Sequence, residues 1–506
     1  MKKIISILLL VLIFANCFNE PKPKNDQTNI ALALLLLSRV CGGNSGKFYL
    51  YNYNTGNYDC VGAELKYSRA GVDVYAQAGL EFTQSLYGLS KINYKSIGDN
   101  FVDKIQKNLE PMIGKPSDVN KDNKVTIFFF DLLSSSSSGS FVAGFIDPVH
   151  FFQSGELLSN EREIMYINGL ELVALNLDNV KRNRPDSILS TIAHEYQHLV
   201  RFQHEFKRPG MTSPIPLPTT QAELDSLTSF DETWINEGTS ELASDVSGYG
   251  PQYERAACFR GDPTYSCDGG FNGKSILNWQ SSLLNYSSSY LFIKYLYEIS
   301  GSSTTEKQNF INRTIIGSNS IRANTSSNLM QLFRSNSTYN STLLSTDNTT
   351  IFQRLYGLFL SRALGYELNA TPANDSSIQI GNNASTPLFS LGNAYPLSSE
   401  LTTLFSFPTN IAKLNASQVE SLGFQVFRIG NLRAAGTYDA NAVYVKRGTN
   451  GAADPLDALI FNGTLNKDSF VTTKSSHSQT KNTIISETNE LDLRKKLTDK
   501  LRSFIN

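Results

Sequence analysis

A chain of 506 residues can bury a large hydrophobic core and is long enough for more than one domain. Its 45 Lys and Arg residues are offset by 46 Asp and Glu residues, so it lacks the basic surplus that nucleic acid binding calls for. The many Ser, Thr and Asn residues, with 23 Tyr and 30 Phe, suit an extracellular surface rich in loops and β-structure.

The chain opens with Met1-Lys2-Lys3, a short positive segment, followed by the apolar run Ile4 to Phe14 and then Ala15-Asn16-Cys17. This pattern predicts an export signal over 1–17 whose end looks like a bacterial lipobox, with Cys17 as a lipidated N-terminus. Asn16 departs from the small residue usual just before such a cysteine. The expected location is the outer membrane or cell surface, held there by the lipid. An ordinary signal peptide cut near the same place would keep the export and give a secreted protein without an anchor. The apolar run is too short to span a bilayer. Residues 18–46 read as a tether: FNEPKPKNDQTN is polar and flexible, and Ile30 to Leu37 is apolar but too short to cross a membrane.

Beyond Cys17 stand Cys41, Cys60, Cys258 and Cys267, an even number in a chain bound for an oxidising compartment. Spacing favours Cys41 with Cys60 and Cys258 with Cys267, each pair closing a local loop. There is no C-x-x-C pair to suggest a cysteine-ligated metal.

Residues 47–95 read as a β-rich segment of short Tyr-rich strands and turns, such as YLYNYNTGNYDCVG. Apolar periodicity predicts an amphipathic helix from Ile97 to Ile113 and strands at Val125 to Phe130 and Glu163 to Ile167. Just before the first of these strands, Asp118, Asn120 and Asp122 offer oxygens at alternate positions, the start of a Ca2+ loop. The loop departs from an EF-hand, with no glycine at its sixth position and Phe129 at its twelfth, and an Asp/Asn-rich turn feeding a strand also accounts for it. The serine run Ser134 to Ser138 reads as a mobile loop at the rim of a cleft.

A helix is predicted from about Ser187 to Phe206, with capping candidates Asp186 and Ser187 at its start and Lys207-Arg208-Pro209-Gly210 at its end. Ile188, Ile192, Tyr196 and Leu199 form its apolar stripe. It carries His194-Glu195-Tyr196-Gln197-His198. Residues four apart share a helical face, so His194 and His198 can direct two imidazole nitrogens at one Zn2+, with the Glu195 carboxylate near the water that such a site activates. Three of the chain's five histidines, His194, His198 and His204, fall in this helix, while His150 and His477 are isolated and read as loop or surface residues.

A third ligand is needed. His204 has the offset of the third histidine in H-E-x-x-H-x-x-G-x-x-H, but Arg201 occupies the glycine position, and a continuous helix aims His204 away from the ligand face. Glu237 is the better candidate. It lies in a second predicted helix, Thr233 to Val246, begun near Asp231 and ended by Gly248, with Glu241 one turn beyond. Two histidines and a glutamate leave a fourth position open for water.

HEYQH and WINEGTSELASD together resemble the gluzincin metallopeptidases, and within them the hyicolysin-type neutral metallopeptidases. The resemblance extends upstream through SDVNKDNKVTIFFFD and REIMYI and downstream through YSSSYLFIKYLYE, roughly residues 96 to 300. It implies that His194, His198 and Glu237 hold one catalytic Zn2+ and that Glu195 is the general base. It further implies a carboxylate behind the first histidine, for which Glu241 is the candidate and Asp245 the weaker alternative. A developing oxyanion needs a donor besides the metal, and Tyr286 or Tyr290, on the segment after the ligand helix, could supply it.

Residues 301–350 alternate polar loops with short helices, and Ile351 to Gly365 is expected to be the last helix of a catalytic domain spanning 96–368. In 380–506, GFQVFRIG and NAVYVKRG suggest a small β-rich domain, before a charged, helical terminus LDLRKKLTDKLRSFIN. The expected fold class is α+β, a zincin-like domain with a mixed sheet and an active-site helix, then a helical subdomain and the C-terminal β-domain. Two functions stand open: an exported zinc endopeptidase acting on proteins or peptides, and a surface adhesin that retains a peptidase fold. The sequence does not reveal an oligomeric state.

Overall fold

The computed structural model describes most of residues 46–359, with its longest gaps at 81–91, 132–141, 174–185 and 335–347, and beyond 359 little more than the backbone of five short strands. The expected signal with Cys17, the tether, the Ser134 to Ser138 loop and nearly all of the charged C-terminal helix lie outside the described residues. Among the described residues no helix is long and apolar enough to cross a membrane.

A six-stranded mixed sheet organises the described chain. Its strands are β1 (Lys47–Asn52), β2 (Asn57–Arg69), β3 (Gly71–Gln77), β4 (Lys124–Phe130), β5 (Gly144–Ile146) and β6 (Ile164–Asn168), in the order β1-β2-β3-β4-β6-β5. β3, β4 and β6 run parallel, and β5 pairs antiparallel with β6 at the end of the sheet. The expected boundary between 95 and 96 is therefore crossed by a continuous sheet, because β3 pairs directly with β4.

β4 is buried from Val125 to Phe130 and apolar there except at Thr126, as suits a strand with both faces covered. Val125, Ile127 and Phe129 enter the main core beneath the helices, while Phe128 and Phe130 enter a second, aromatic cluster on the opposite face. The long strand β2 bends at an irregularity between Leu65 and Tyr67, and β1 lies over that second face, where Phe48 meets Phe128 edge-on with centroids 5.4 Å apart. The Cys41–Cys60 disulfide, with Cα atoms 5.8 Å apart, ties the chain before β1 to β2.

A polar knot closes the same side. His150 Nδ1 accepts from the Asn160 backbone N–H at 3.1 Å, and its Nε2 lies 2.7 Å from Tyr166 Oη, which in turn donates to the Tyr49 carbonyl. His150 is thus a buried core residue rather than a loop or surface one, and burial lowers its pKa to about 4 against the opposing pull of Asp147.

The crossover from β3 to β4 is a helical run: α1 (Tyr94–Asn100), wider π-type turns over Phe101–Gln106, and α2 (Lys107–Ile113). It begins three residues before the predicted Ile97 because the Asn93 side chain accepts from the Ser96 N–H and caps it earlier. α3 (Ser187–Glu205), α4 (Gln221–Ser226), α5 (Thr233–Ser244), α6 (Tyr253–Phe259), α7 (Leu283–Ile299), α8 (Thr304–Ile315) and α9 (Ser326–Arg334) follow. Ile351, Phe352, Leu355, Tyr356 and Phe359 are helical and buried, and Phe352, Tyr356 and Phe359 pack on Phe292 of α7. In the C-terminal region the backbone is extended at Phe424–Gly430 and Ala442–Arg447, the two predicted runs, and both pair with Leu456–Phe461.

Candidate metal centre

α3 starts where Asp186 accepts from the Leu189 N–H at 2.9 Å, and it buries Ile188, Ile192, Tyr196 and Leu199 against the sheet core. That fixes its rotation. His194 and His198 then fall on the flank that faces α5, and Glu195 turns under the sheet's last strand. α5 begins at Thr233, as predicted, and just before it Asp231 pairs with two guanidinium groups, Arg201 of α3 and Arg322. Arg201 is fully buried and also donates to Thr239 Oγ1 of α5 at 2.9 Å, which locks the two helices side by side.

The locked pair brings three donor atoms together. His194 Nε2 and His198 Nε2 are 3.0 Å apart, and Glu237 Oε2 lies 3.2 Å from the first and 3.4 Å from the second. Neighbouring ligand atoms of a tetrahedral ion with bonds of 2.0 to 2.1 Å are about 3.3 to 3.4 Å apart, so two imidazoles and one carboxylate fit Zn2+ in both chemistry and spacing. The side chains of His194, Glu237 and His198 keep 14, 16 and 11 % of their surface exposed, so the cluster opens to solvent on one side. Among the described residues no other group of three or more His, Cys, Asp or Glu donors converges in this way.

His204 is carried by the unbroken helix to the far side, beside Arg322 and Arg201, and burial with those charges lowers its pKa to about 4. It has no place in the cluster.

Each histidine has a side-chain oxygen behind its outer nitrogen, within hydrogen-bond distance at His198 and slightly beyond it at His194. Glu241 Oε1 stands 3.6 Å from His194 Nδ1, and Asn236 Oδ1 stands 3.1 Å from His198 Nδ1, with Ser240 Oγ at 3.3 Å. Asp245, the weaker candidate for this role, is turned elsewhere: it accepts from Tyr290 Oη at 2.7 Å and from Lys294. That engagement also occupies Tyr290, which is fully buried.

Tyr286, one turn earlier on α7 than Tyr290, is the phenol near the cluster. The Glu237 charge and burial raise its pKa well above the ordinary phenol value, so it keeps its proton. Its ring packs edge-on against Trp279 at 5.1 Å.

Glu195 is buried beneath β5, where a Cβ at Gly144 would stand 3.1 Å from its Cγ. Burial raises its pKa to about 8, Glu237 and Glu241 adding to the rise and His198 opposing it; a divalent cation alongside would draw it down again. Burial likewise disfavours the Glu237 carboxylate, but His198 and His194 outweigh that and hold its pKa well below the ordinary range.

Away from the cluster, the Asp118 loop spends its oxygens on its own turn. Asp118 Oδ1 accepts from the Asn123 N–H and Asp122 Oδ1 from the Lys124 N–H, while Asn120 donates to Asp122 Oδ2 at 2.7 Å. Cys258 and Cys267 are joined, with Cα atoms 5.1 Å apart.

Asn236, Ser240, Arg255 and Gly144 also border the site, and none is singled out by motif. Asn236 carries the one usable signal: as the neighbour of Glu237 in the same helical turn, it is placed to reach the same pair of histidines.

No family model matches the chain. It is similar to the neutral metalloprotease ShpI of Staphylococcus hyicus, with 25 % identity over 288 residues, 55 % of this chain and 57 % of that protein. The chain thus spans little more than half of its relative's length.

Proposed function

We propose that the protein is an exported zinc endopeptidase in which His194, His198 and Glu237 hold the ion and Glu195 moves the protons of peptide hydrolysis. The observation that carries this reading is the convergence of two imidazole nitrogens and one carboxylate oxygen, 3.0 to 3.4 Å apart, beside a buried carboxyl. Zn2+ bound to such a set retains a net charge near +1, which acidifies water and polarises a peptide carbonyl.

Glu195 takes a proton from water as the water oxygen bonds to the peptide carbonyl carbon, and passes it to the amine nitrogen as the C–N bond breaks. Tyr286, still protonated, donates to the oxygen that gains negative charge. Glu241 and Asn236 hold the two imidazoles in the orientation that turns each Nε2 to the ion.

A peptide substrate suits the surroundings. β5 ends the sheet among the described residues, and its Gly144 rests against Glu195, so an extended chain added along that strand would bring its amide bond beside the base. The similarity to a neutral metalloprotease supports the same class. Export rests on the signal-like start, with Cys17 as the lipid anchor, and the disulfides agree with an oxidising compartment. In this reading the catalytic unit is 96–368, joined by the shared sheet to the strands of 47–95, and the β-rich region 380–506 lies outside it.

Elemental analysis of the purified protein tests the reading. One zinc per chain in the parent, and a large loss in Glu237→Ala, are expected; a parent without zinc would remove the basis for the assignment. Glu195→Gln should keep the zinc and lose cleavage by a factor of about 100 or more.

A further inference from the structure

Three helices meet at one side chain that no motif marks. Arg255 reaches from α6 so that its Nε and Nη2 both donate to Glu241 Oε1 of α5, at 3.0 and 2.5 Å. The same oxygen faces His194 Nδ1 at 3.6 Å. The guanidinium carbon stands 5.2 Å from the centre of the Tyr286 ring on α7. The root of Arg255 is itself anchored, since Cys258 on the same helix is bonded to Cys267 and the Phe259 ring stacks on Phe271.

Charge explains why an arginine belongs there. Glu195, Glu237 and Glu241 crowd one site, and Glu241 is 3 % exposed, so an ionised carboxylate at 241 requires a cationic partner. A divalent ion offsets two of the three acidic groups and Arg255 the remaining one. A guanidinium also has the right shape: its edge gives two N–H groups to one oxygen while its carbon lies over an aromatic ring, which a lysine ammonium cannot do at once.

We propose that Arg255 is a positioning residue of the metal centre, holding Glu241 Oε1 so that it fixes the His194 imidazole, and tying the Tyr286 ring to the same constraint. This rests on the zinc peptidase reading given above. Arg255 touches neither the ion nor the reacting atoms; it acts through Glu241.

The test is zinc affinity, measured on the full chain by competition with a chromophoric chelator, for the parent, Arg255→Met, Glu241→Gln and the double variant. Arg255→Met should lower zinc affinity about tenfold or more, as removal of the groups that orient a ligand does. The double variant should be no weaker than Glu241→Gln alone, because the arginine works through that carboxylate. Arg255→Lys keeps the charge without the two-pronged grip. It should bind zinc several-fold more weakly with the zinc-free melting temperature unchanged, and it carries the test if Arg255→Met does not fold. Zinc affinity within twofold of the parent in the Arg255 variants, or losses that add in the double variant, would overturn the proposal while leaving the peptidase reading intact. A parent that binds no zinc would overturn both.

Discussion

Asn236 and His198 are joined by a contact of 3.1 Å between Oδ1 and Nδ1, while the next residue, Glu237, brings its carboxylate to within 3.4 Å of Nε2 on the same ring. Two consecutive residues of α5 therefore address both nitrogens of one imidazole. The Asn236 oxygen can only accept, so it selects the tautomer that carries its proton on Nδ1 and leaves Nε2 as a lone pair.

Replacing Asn236 should therefore weaken metal binding without touching a ligand. Asn236→Leu is expected to lower zinc affinity by about 10 to 100-fold, read by chelator competition. An affinity equal to the parent's would mean that the His198 ring is held by other contacts alone.

Tyr286→Phe removes the phenol hydroxyl and keeps the ring that packs on Trp279 and Arg255. If Tyr286 donates to the developing oxyanion, kcat should drop by about 100 to 1,000-fold with KM and zinc content nearly constant. The companion variant Tyr290→Phe should behave differently, because that hydroxyl donates to Asp245 inside the protein. Its effect should appear in melting temperature and leave kcat almost unchanged.

Gly238 follows Glu237 on the face of α5 that packs tightly against α7. A Cβ there would lie 2.8 Å from both the Ser289 carbonyl oxygen and Ile293 Cγ1. Gly238→Ala should force the helices apart and destabilise the fold by about 1 to 3 kcal/mol, measured as a shift in the urea midpoint. Because α7 carries Tyr286 and α5 carries Glu237, the same variant should also lose activity more than it loses stability.

His150 gives a pH dependence of definite sign. Its folded-state pKa of about 4 lies below the ordinary value of 6.5, so the unfolded chain takes up a proton that the folded chain refuses as pH falls through that interval. Its contribution to stability is complete above pH 6.5 and declines toward pH 4, by up to about 3 kcal/mol. Urea unfolding of the parent and of His150→Gln at several pH values checks this: the stability difference between the two should shrink as pH falls from 6.5 to 4. A difference independent of pH would place the proton on His150 in the folded state as well.

What the sequence reveals of the site depends on whether the relationship is local. His194, Glu195 and His198 lie within one and a half helical turns, so their spacing alone places them around a common point. Glu237 is distant in the chain, yet its helix is periodic and its segment resembles a known family, so it too is legible. The distinction between Tyr286 and Tyr290 was not legible, since residues four apart share a helical face and only the tertiary position of Asp245 separates them. The early start of α1 was missed for a smaller reason: one Asn93 side chain decides it, outside the apolar pattern that marked the helix. β5 is three residues long, too short for any alternation to register. Arg255 was invisible because its partners sit on two other helices, and nothing in YERAACF indicates where they are.

The Cys41–Cys60 bridge also determines how the molecule would carry mechanical load. A pull applied at Cys41 is passed by the sulfur atoms directly to β2. β1 and the turn that follows it lie in the loop closed by this bond, so their hydrogen bonds are shielded from the tension and cannot be unzipped by it. The force enters the sheet at the strand pair farthest in order from β5, and on leaving Cys60 it is shared by the antiparallel ladder of β2 with β3.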